Sequence, residues 1–394
     1  MNQTHDSGAA KTILVYLERF LPASQAFVLT QAANFSRHRA EFLAGSRAGS
    51  VHADQSAAFQ VNDIRSKPLM RAGETVLKIA QLPVPAVFPP LKRASLIHAH
   101  FGKNGYVIGP LAKAAHLPLV TSFHGFDATY KGDPKTPGGF NQVRFFDHGR
   151  KEMAGWNSWN IAVSDFIRDK LLALGYPQER IFRHYIGVDN RFFAPSVKPR
   201  RPGLVVSIAR FMEYKGHRYM IEALSRVAAQ GIPVEFAMVG QGPLRDGMEA
   251  LARAKLPKVT IYDQLDQAQI RDLVSEAEIY LHGSVTLDNG HAEAMGIANL
   301  EAQAVGTPVV AFRSGGVGEA VEDGKTGYLA EERDVVAMAA GIASLLSDKP
   351  RWQAFSERAP AMVAEKFDIR RQTAALEDYY DAVIAEYAQT RKRA

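Results

Sequence analysis

The chain has 394 residues, 46% of them apolar and 22% charged, too long for a single compact core and ordinary in composition for folded protein, so two domains are expected. Cysteine is absent, which excludes disulfides, iron–sulfur clusters, thiolate zinc sites and cysteine nucleophiles. Charge is uneven: residues 1–195 carry 23 Lys and Arg against 14 Asp and Glu, net +9, and the remainder is net −3, so the first half suits an anionic partner such as phospholipid headgroups or a pyrophosphate-linked acceptor, or else presents a solvated basic face.

From the amino end, residues 1–11 lack the basic start and apolar run of a signal peptide, and no window reaches the roughly 20 apolar residues a membrane span needs. The expected location is the cytoplasm, with peripheral attachment to the inner face of the membrane left open. Apolar, β-branched runs at Ile13–Leu17, Leu119–Phe123, Ile161–Val163, Leu204–Ala209, Glu235–Val239, Val259–Tyr262, Ile279–Leu281 and Pro308–Phe312 alternate with helical periodicity, which predicts parallel sheets. Between the first two runs, Arg65–Arg93 mixes basic and apolar residues with prolines. It reads either as a segment resting on a membrane surface or cradling a lipid-linked acceptor, or as a helix buried on one face followed by a loop.

His124 ends the run Leu119–Phe123 and precedes Gly125, the mouth position of a parallel sheet, where a ligand role competes with that of a buried structural histidine. His98 and His100, near the preceding strand exit, line the acceptor side or satisfy local backbone groups and stay outside the catalytic set. Gly187–Pro202, with three prolines and a basic cluster, is the expected linker.

In the second half, Leu204–Ala209 runs into Arg210, with Lys215 and Gly216 five and six residues on. Two cations at a strand exit and a helix start can grip one pyrophosphate, although surface cations would give the same spacing. Met220, Ala223, Leu224 and Val227 share a face of the helix that follows, and Gly231 is placed to end it. Gly240 and Gly242 form a turn at the next strand exit, suited to close passage of a nucleotide or simply to connection. Glu293 and Glu301 then bracket Gly296, which is expected to open a helix reaching about Val305. Amides of Gly296 and Ile297 can bind diphosphate oxygens, Glu301 can accept ribose hydroxyls and Glu293 can orient a sugar; the plainer reading makes Glu293 solvated and Glu301 an ordinary helical residue.

The stretches Leu204–Gly216, Met238–Arg245, Leu281–Val310 and Ser314–Leu329, with Ile97–Gly102 and Thr121–Asp127 in the first half, resemble glycosyltransferase family four, and within it the colanic acid type of exopolysaccharide enzymes. The resemblance implies the GT-B architecture, an α/β fold of two Rossmann-like domains facing each other across a cleft. It implies residues 1–190 as an acceptor-binding domain and 191–371 as a nucleotide-sugar-binding domain, with a helix over about 372–394 packing back on the first. It also implies retaining transfer without a metal ion or other cofactor, from a nucleotide-diphosphate sugar to a glycan acceptor, lipid-linked in exopolysaccharide or cell-surface polysaccharide synthesis. Arg210 and Lys215 would hold diphosphate, Glu301 ribose, Glu293 sugar, and His124 would act beside the donor sugar; Gly240, Gly242, Gly296, Ile297, Asn299 and Leu300 complete the donor-binding set.

Gln25, in Leu21–Phe27, and Ala294 depart from close relatives, as does Tyr185-Ile186. Variants at Lys215 or Glu293 are expected to lose transfer and keep the fold. A transferase using a small acceptor and a catalytically silent GT-B binding module are the alternatives. A dehydrogenase is disfavoured because no G-x-G-x-x-G follows the first strand, and nucleic-acid binding because no basic stripe interleaves with aromatics.

Overall fold

The computed structural model describes residues 10–20, 25–46, 58–133, 140–195 and 199–393; Leu21–Ser24 and positions 196–198 of the expected linker lie outside them. Strands β1 (Thr12–Leu17), β2 (Arg39–Ala44), β3 (Gln60–Asp63), β4 (Leu96–His100), β5 (Leu119–Phe123), β6 (Trp159–Ala162) and β7 (Ile181–Arg183) form one parallel sheet of order β3-β2-β1-β4-β5-β6-β7. Strands β8 (Leu204–Ile208), β9 (Glu235–Val239), β10 (Lys258–Tyr262), β11 (Ile279–His282), β12 (Val309–Phe312) and β13 (Gly327–Ala330) form a second, β10-β9-β8-β11-β12-β13. Both are doubly wound, with their order reversing between β1 and β4 and between β8 and β11. Ligands of such sheets sit beyond the carboxyl ends at those reversals.

The continuous apolar runs are the central strands: β1, β5 and β9 are buried along their whole length because helices cover both faces. Strands without a sequence signal lie toward the sheet edges or carry buried charge. β3 and β7 are short edge strands, and β2 places Glu41 inside, where it accepts from the Asn62 amide at 2.8 Å and pairs with Arg93.

The helices used below are α1 (Ala26–Ala33), α2 (Pro68–Ala80), α3 (Gly102–Ala114) and α4 (Asp165–Ala173) around the first sheet, and α5 (His217–Ala228), α6 (Arg245–Lys255), α7 (Gln267–Glu276), α8 (Ile297–Ala304), α9 (Val335–Ser347) and α10 (Lys349–Phe367) around the second. A long helix, α11 (Ile369–Arg393), follows. Helix α5 buries Met220, Ala223, Leu224 and Val227 as its periodicity requires, and Gly231 takes φ +78° just beyond it. Local signals also set α7, whose Asp266 and Gln269 form a capping box.

The chain changes sheets at Val188, whose N–H donates to Phe367 O at 2.8 Å and whose carbonyl accepts from Ile369 N–H at 3.0 Å. Part of the expected linker is therefore pinned backbone. At the same crossing α11 returns to the first sheet, where Leu376, Tyr380 and Val383 join its core and the Glu377 carboxylate accepts the N–H groups of Ser36, Arg37 and His38.

Candidate active site

Beyond β8, Arg210 is exposed and its guanidinium donates to Tyr214 Oη at 2.9 Å. The turn expected to meet a nucleotide packs on this segment: a Cβ at Gly240 would overlap Ala209 O, and one at Gly242 would come 2.5 Å from Phe211 O. Their glycine character is thus already required by protein backbone, whatever else they touch.

Lys215 and Glu293, read from the sequence as separate ligands of phosphate and sugar, are joined in an ion pair with side chains 14% and 16% exposed. Glu293 also accepts from Ser284 Oγ at 3.2 Å and lies 3.8 Å from His282 Nε2. Burial alone would raise its pKa, but Lys215, His282 and these hydrogen bonds outweigh it and bring it down to about 2. Lys215 moves upward: burial opposes its charge and Glu293 more than restores it. The geometry depends on Gly216, at φ +62°, where a Cβ would strike the Gly283 carbonyl oxygen.

Helix α8 begins after Gly296, at φ +76°, and no side chain caps it. As in any helix, its first amides have no carbonyl four residues back within the helix, and its other end is held by Arg200, which donates to Val305 O at 2.9 Å and Thr307 Oγ1 at 2.6 Å. Ile297 is partly exposed at its start. The Leu300 side chain is fully buried in the core of the second half, which leaves only its main chain for the donor contact expected of it. Asn299 is equally buried, with neither side-chain polar atom hydrogen-bonded among the described residues; it lies beneath the Gly296 turn rather than in the cleft. Glu301 is partly exposed, and burial pushes its carboxyl up to about 7.

On the opposite wall, His124 follows β5 and its main-chain N–H donates to the Asp127 carboxylate at 3.0 Å, as do those of Gly125 at 2.9 Å and Gly102 at 2.7 Å. One buried carboxylate thus fixes the histidine loop against the start of α3. The His124 ring packs on Phe27 and Phe101, at 5.0 and 4.7 Å between centroids. Phe101 takes φ +73°, an unfavourable setting for a side chain, to bring its ring there. His124 Nε2 meets His100 Nδ1 at 3.1 Å. The His98 ring lies 4.2 Å from that of His100 and itself bonds Ser122 Oγ at 2.7 Å and Tyr380 Oη of α11 at 2.6 Å. Burial holds His98, His100 and His124 below the usual imidazole range, His100 near 3, so all are neutral at pH 7.

The two walls meet at the site. A Cβ on Gly125 would sit 3.1 Å from that of Ala294, so the neighbours His124 and Glu293 flank one contact. Phe126 packs edge-on against His291 at 5.1 Å, and His291 packs on Tyr214 at 4.4 Å, linking the histidine loop to Arg210. Lys131 N–H donates to Asn289 O at 2.6 Å, and Glu319 accepts from Asp165 N–H at 2.8 Å, Phe166 N–H at 2.9 Å and Tyr185 Oη at 3.1 Å. Beside the loop before Glu293 opens a cavity of about 740 Å³ lined by Glu213, Thr286, Leu287, Asp288, Asn289 and Arg333.

Asp127, Tyr214, His282, Ser284, His291 and Glu319 were not read as site residues, and His100 was placed only on the acceptor side or in a backbone role, outside the catalytic set. Only Asp127 and His100 carried a local signal, being close to His124 in sequence or on the neighbouring strand exit. His124 Nδ1, His282 Nε2 and His291 Nδ1 are buried without a hydrogen-bond partner among the described residues. Among those residues, no group of three or more His, Asp or Glu is arranged to hold a metal ion.

Residues 27–192 match the family described as Glycosyltransferase Family 4, and residues 188–362 that described as glycosyl transferases group 1. Over 297 residues, covering 72% of this chain and 70% of the relative, the sequence is 30% identical to WcaL of Salmonella typhimurium, named for colanic acid biosynthesis. It is 29% identical over 273 residues to the amylovoran biosynthesis glycosyltransferase AmsK of Erwinia amylovora, spanning 66% of this chain and 64% of that one. The fold superposes on Anabaena HepE, solved in complex with UDP and glucose, with a TM-score of 0.73 and 19% identity over 94% of this chain and all of that one. Sucrose-phosphate synthase of Thermosynechococcus elongatus gives 0.72 at 18% identity over 95% of this chain and all of that one. With two parallel Rossmann-like sheets in the GT-B arrangement and both halves matched in order, this chain belongs to the family-four glycosyltransferases.

Proposed function

We propose that the chain transfers a hexosyl unit, with retention, from a nucleoside-diphosphate sugar to a lipid-linked glycan acceptor in exopolysaccharide or cell-surface polysaccharide synthesis. The contact of Gly125 with Ala294 carries this reading, because it sets His124 and Glu293 together beside Lys215 and the amino end of α8. Arg210, Lys215 and the α8 amides would receive the diphosphate, Glu301 the ribose hydroxyls and Glu293 the hydroxyls of the sugar. The C1–O bond to phosphate breaks as the acceptor oxygen bonds C1 on the same face, and the acceptor proton passes to the leaving phosphate oxygen. Arg210 and Lys215 stabilise the negative charge that develops there. Protein cations and amides fill the part a metal would otherwise play, so the reading needs none.

HepE was solved with UDP-glucose, and a relative 29% identical over 294 residues is named a GDP-mannose-dependent mannosyltransferase, so both bases belong in the test. A thermal-shift screen of UDP- and GDP-sugars should give a donor-specific rise, since a ligand at a hundredfold its Kd stabilises by about 2.7 kcal/mol. Anomer analysis of the product from the donor that binds tests retention. No shift with any nucleotide sugar, or an inverted product, would defeat the proposal. A relative 26% identical over 303 residues is named for synthesis on L-malate, and transfer to small soluble acceptors in preference to lipid-linked glycan would favour the small-acceptor alternative.

A further inference from the structure

Helix α2 is apolar on two faces. Met70, Gly73, Glu74 and Leu77 turn inward, whereas Leu69, Ala72, Val76 and Ile79, at i, i+3, i+7 and i+10, share an outward face. Gln81, at φ +57°, ends the helix, and the apolar edge continues through Leu82 and Val84. Arg144 donates to Ile79 O at 3.4 Å and so brings up the turn that starts with Phe140. Of the nine exposed large apolar side chains among the described residues, six lie here, with Leu69 73%, Ile79 64%, Phe140 61% and Leu82 60% exposed; this is a patch, since scattered exposure would not concentrate on one helix and its neighbour.

Its position follows from the helix's anchors. Glu74 lies against Gly45, just past β2, and Lys78 bonds Glu18, just past β1, at 3.1 Å. Helix α2 therefore crosses the carboxyl ends of the strands, on the rim of the first sheet from which His124 also projects. Arg65, Lys67 and Arg71 are exposed around the patch and make no ion pair among the described residues. A second copy of the chain docking face to face would bring two such basic rims together in a half that already carries net +9. Apolar side chains ringed by cations match an interface of acyl chains beneath anionic headgroups.

We propose that this rim of α2, with Leu82, Val84 and Phe140, docks on an anionic phospholipid surface and holds the acceptor side of the cleft at the membrane. The orientation rests on the acceptor-side reading above, whereas the docking itself does not. The test is co-sedimentation of the full chain with vesicles of phosphatidylcholine alone or with about one-third phosphatidylglycerol. Wild type should bind the anionic vesicles at low salt and the neutral ones weakly. Leu69→Glu/Ile79→Glu/Leu82→Glu and, separately, Arg65→Glu/Lys67→Glu/Arg71→Glu should each weaken binding about 10-fold or more, the second set also flattening its salt dependence. Both should keep wild-type unfolding temperature and donor hydrolysis, because the altered side chains face solvent. Wild type remaining in the supernatant, or apolar variants binding undiminished, would overturn the docking. So would light scattering that finds a wild-type dimer and a monomeric apolar variant, which would assign the face to a second copy. Vesicle binding without transfer to lipid-linked glycan would leave the docking standing and defeat the functional reading alone.

Discussion

Replacing Glu293 by Gln removes the charge of the buried pair with Lys215 and keeps the shape of the side chain. The folded protein brings the Glu293 carboxyl from 4.5 down to about 2. At about 1.4 kcal/mol per unit, the ionised form is favoured by about 3 kcal/mol on folding, a conversion its 16% exposure permits. Because the folded pKa lies below the unfolded one, this stabilisation is complete above pH 4.5 and is lost as pH falls toward about 2. At pH 7 the variant should therefore lose up to about 3 kcal/mol, or roughly 6–12 °C in Tm at about 2–4 °C per kcal/mol. The gap should narrow steadily in acid. This revises the expectation that substitution here leaves the fold untouched. With its carboxylate competitor gone, Lys215 should bind UDP or GDP at least as tightly as in wild type, while turnover drops about 100-fold or more. Calorimetry at pH 7 and in acid measures the stability loss and its narrowing, nucleotide titration measures the binding, and a transfer assay measures the turnover. A variant that melts with wild type at pH 7 would refute the energetic reasoning, and one that binds diphosphate more weakly would refute the idea that Glu293 and phosphate share Lys215.

If Glu301 holds the donor ribose as proposed, its carboxyl, pushed up to about 7 by burial, should accept from the hydroxyls best when ionised, so donor affinity should rise from pH 6 to 8 and Glu301→Gln should flatten the profile in isothermal titration. Its folded pKa lies above the unfolded value, so the free protein should lose stability as pH climbs from 4.5 toward about 7, and the variant should not. His100→Phe keeps an aromatic ring beside His124 and removes its 3.1 Å partner; kcat should fall roughly 5- to 10-fold with donor KM little changed, and an unaltered kcat would mean His124 needs no such support. Glu319→Ala frees three donors at the junction with α4 and should cost about 1–2 kcal/mol, with a larger radius of gyration in X-ray scattering; equal radii would show that the other contacts suffice.

The central strands were legible because burial on both faces writes an unbroken apolar run, as in β1, β5 and β9. The two edges of the first sheet were not: Gln60–Asp63 and Ile181–Arg183 are held by one neighbouring strand each and carry polar side chains. In the site, Gly296 and the helix after it could be read from glycine and periodicity, both local. That the Leu300 side chain turns into the core was not legible, because the face a helical residue presents depends on the rotation of α8 against its core, which a motif does not record. The tie of the histidine stack to α11 was not legible, because Tyr380 lies 282 residues beyond His98.

By itself, then, the order of residues determined alternating parallel β/α units and supplied the cations, carboxylates and glycines at strand exits and helix starts, since backbone preference and hydrophobic period act over a few neighbours. Tertiary structure alone decided which groups meet: Lys215 with Glu293 across 78 residues, His124 with His100, and Gly125 with Ala294 between the two halves. Those meetings set the charges as well, because a carboxyl is held near 2 or raised near 7 by how much water its neighbours exclude and which cation stands beside it, and neither is fixed until the chain has closed around it.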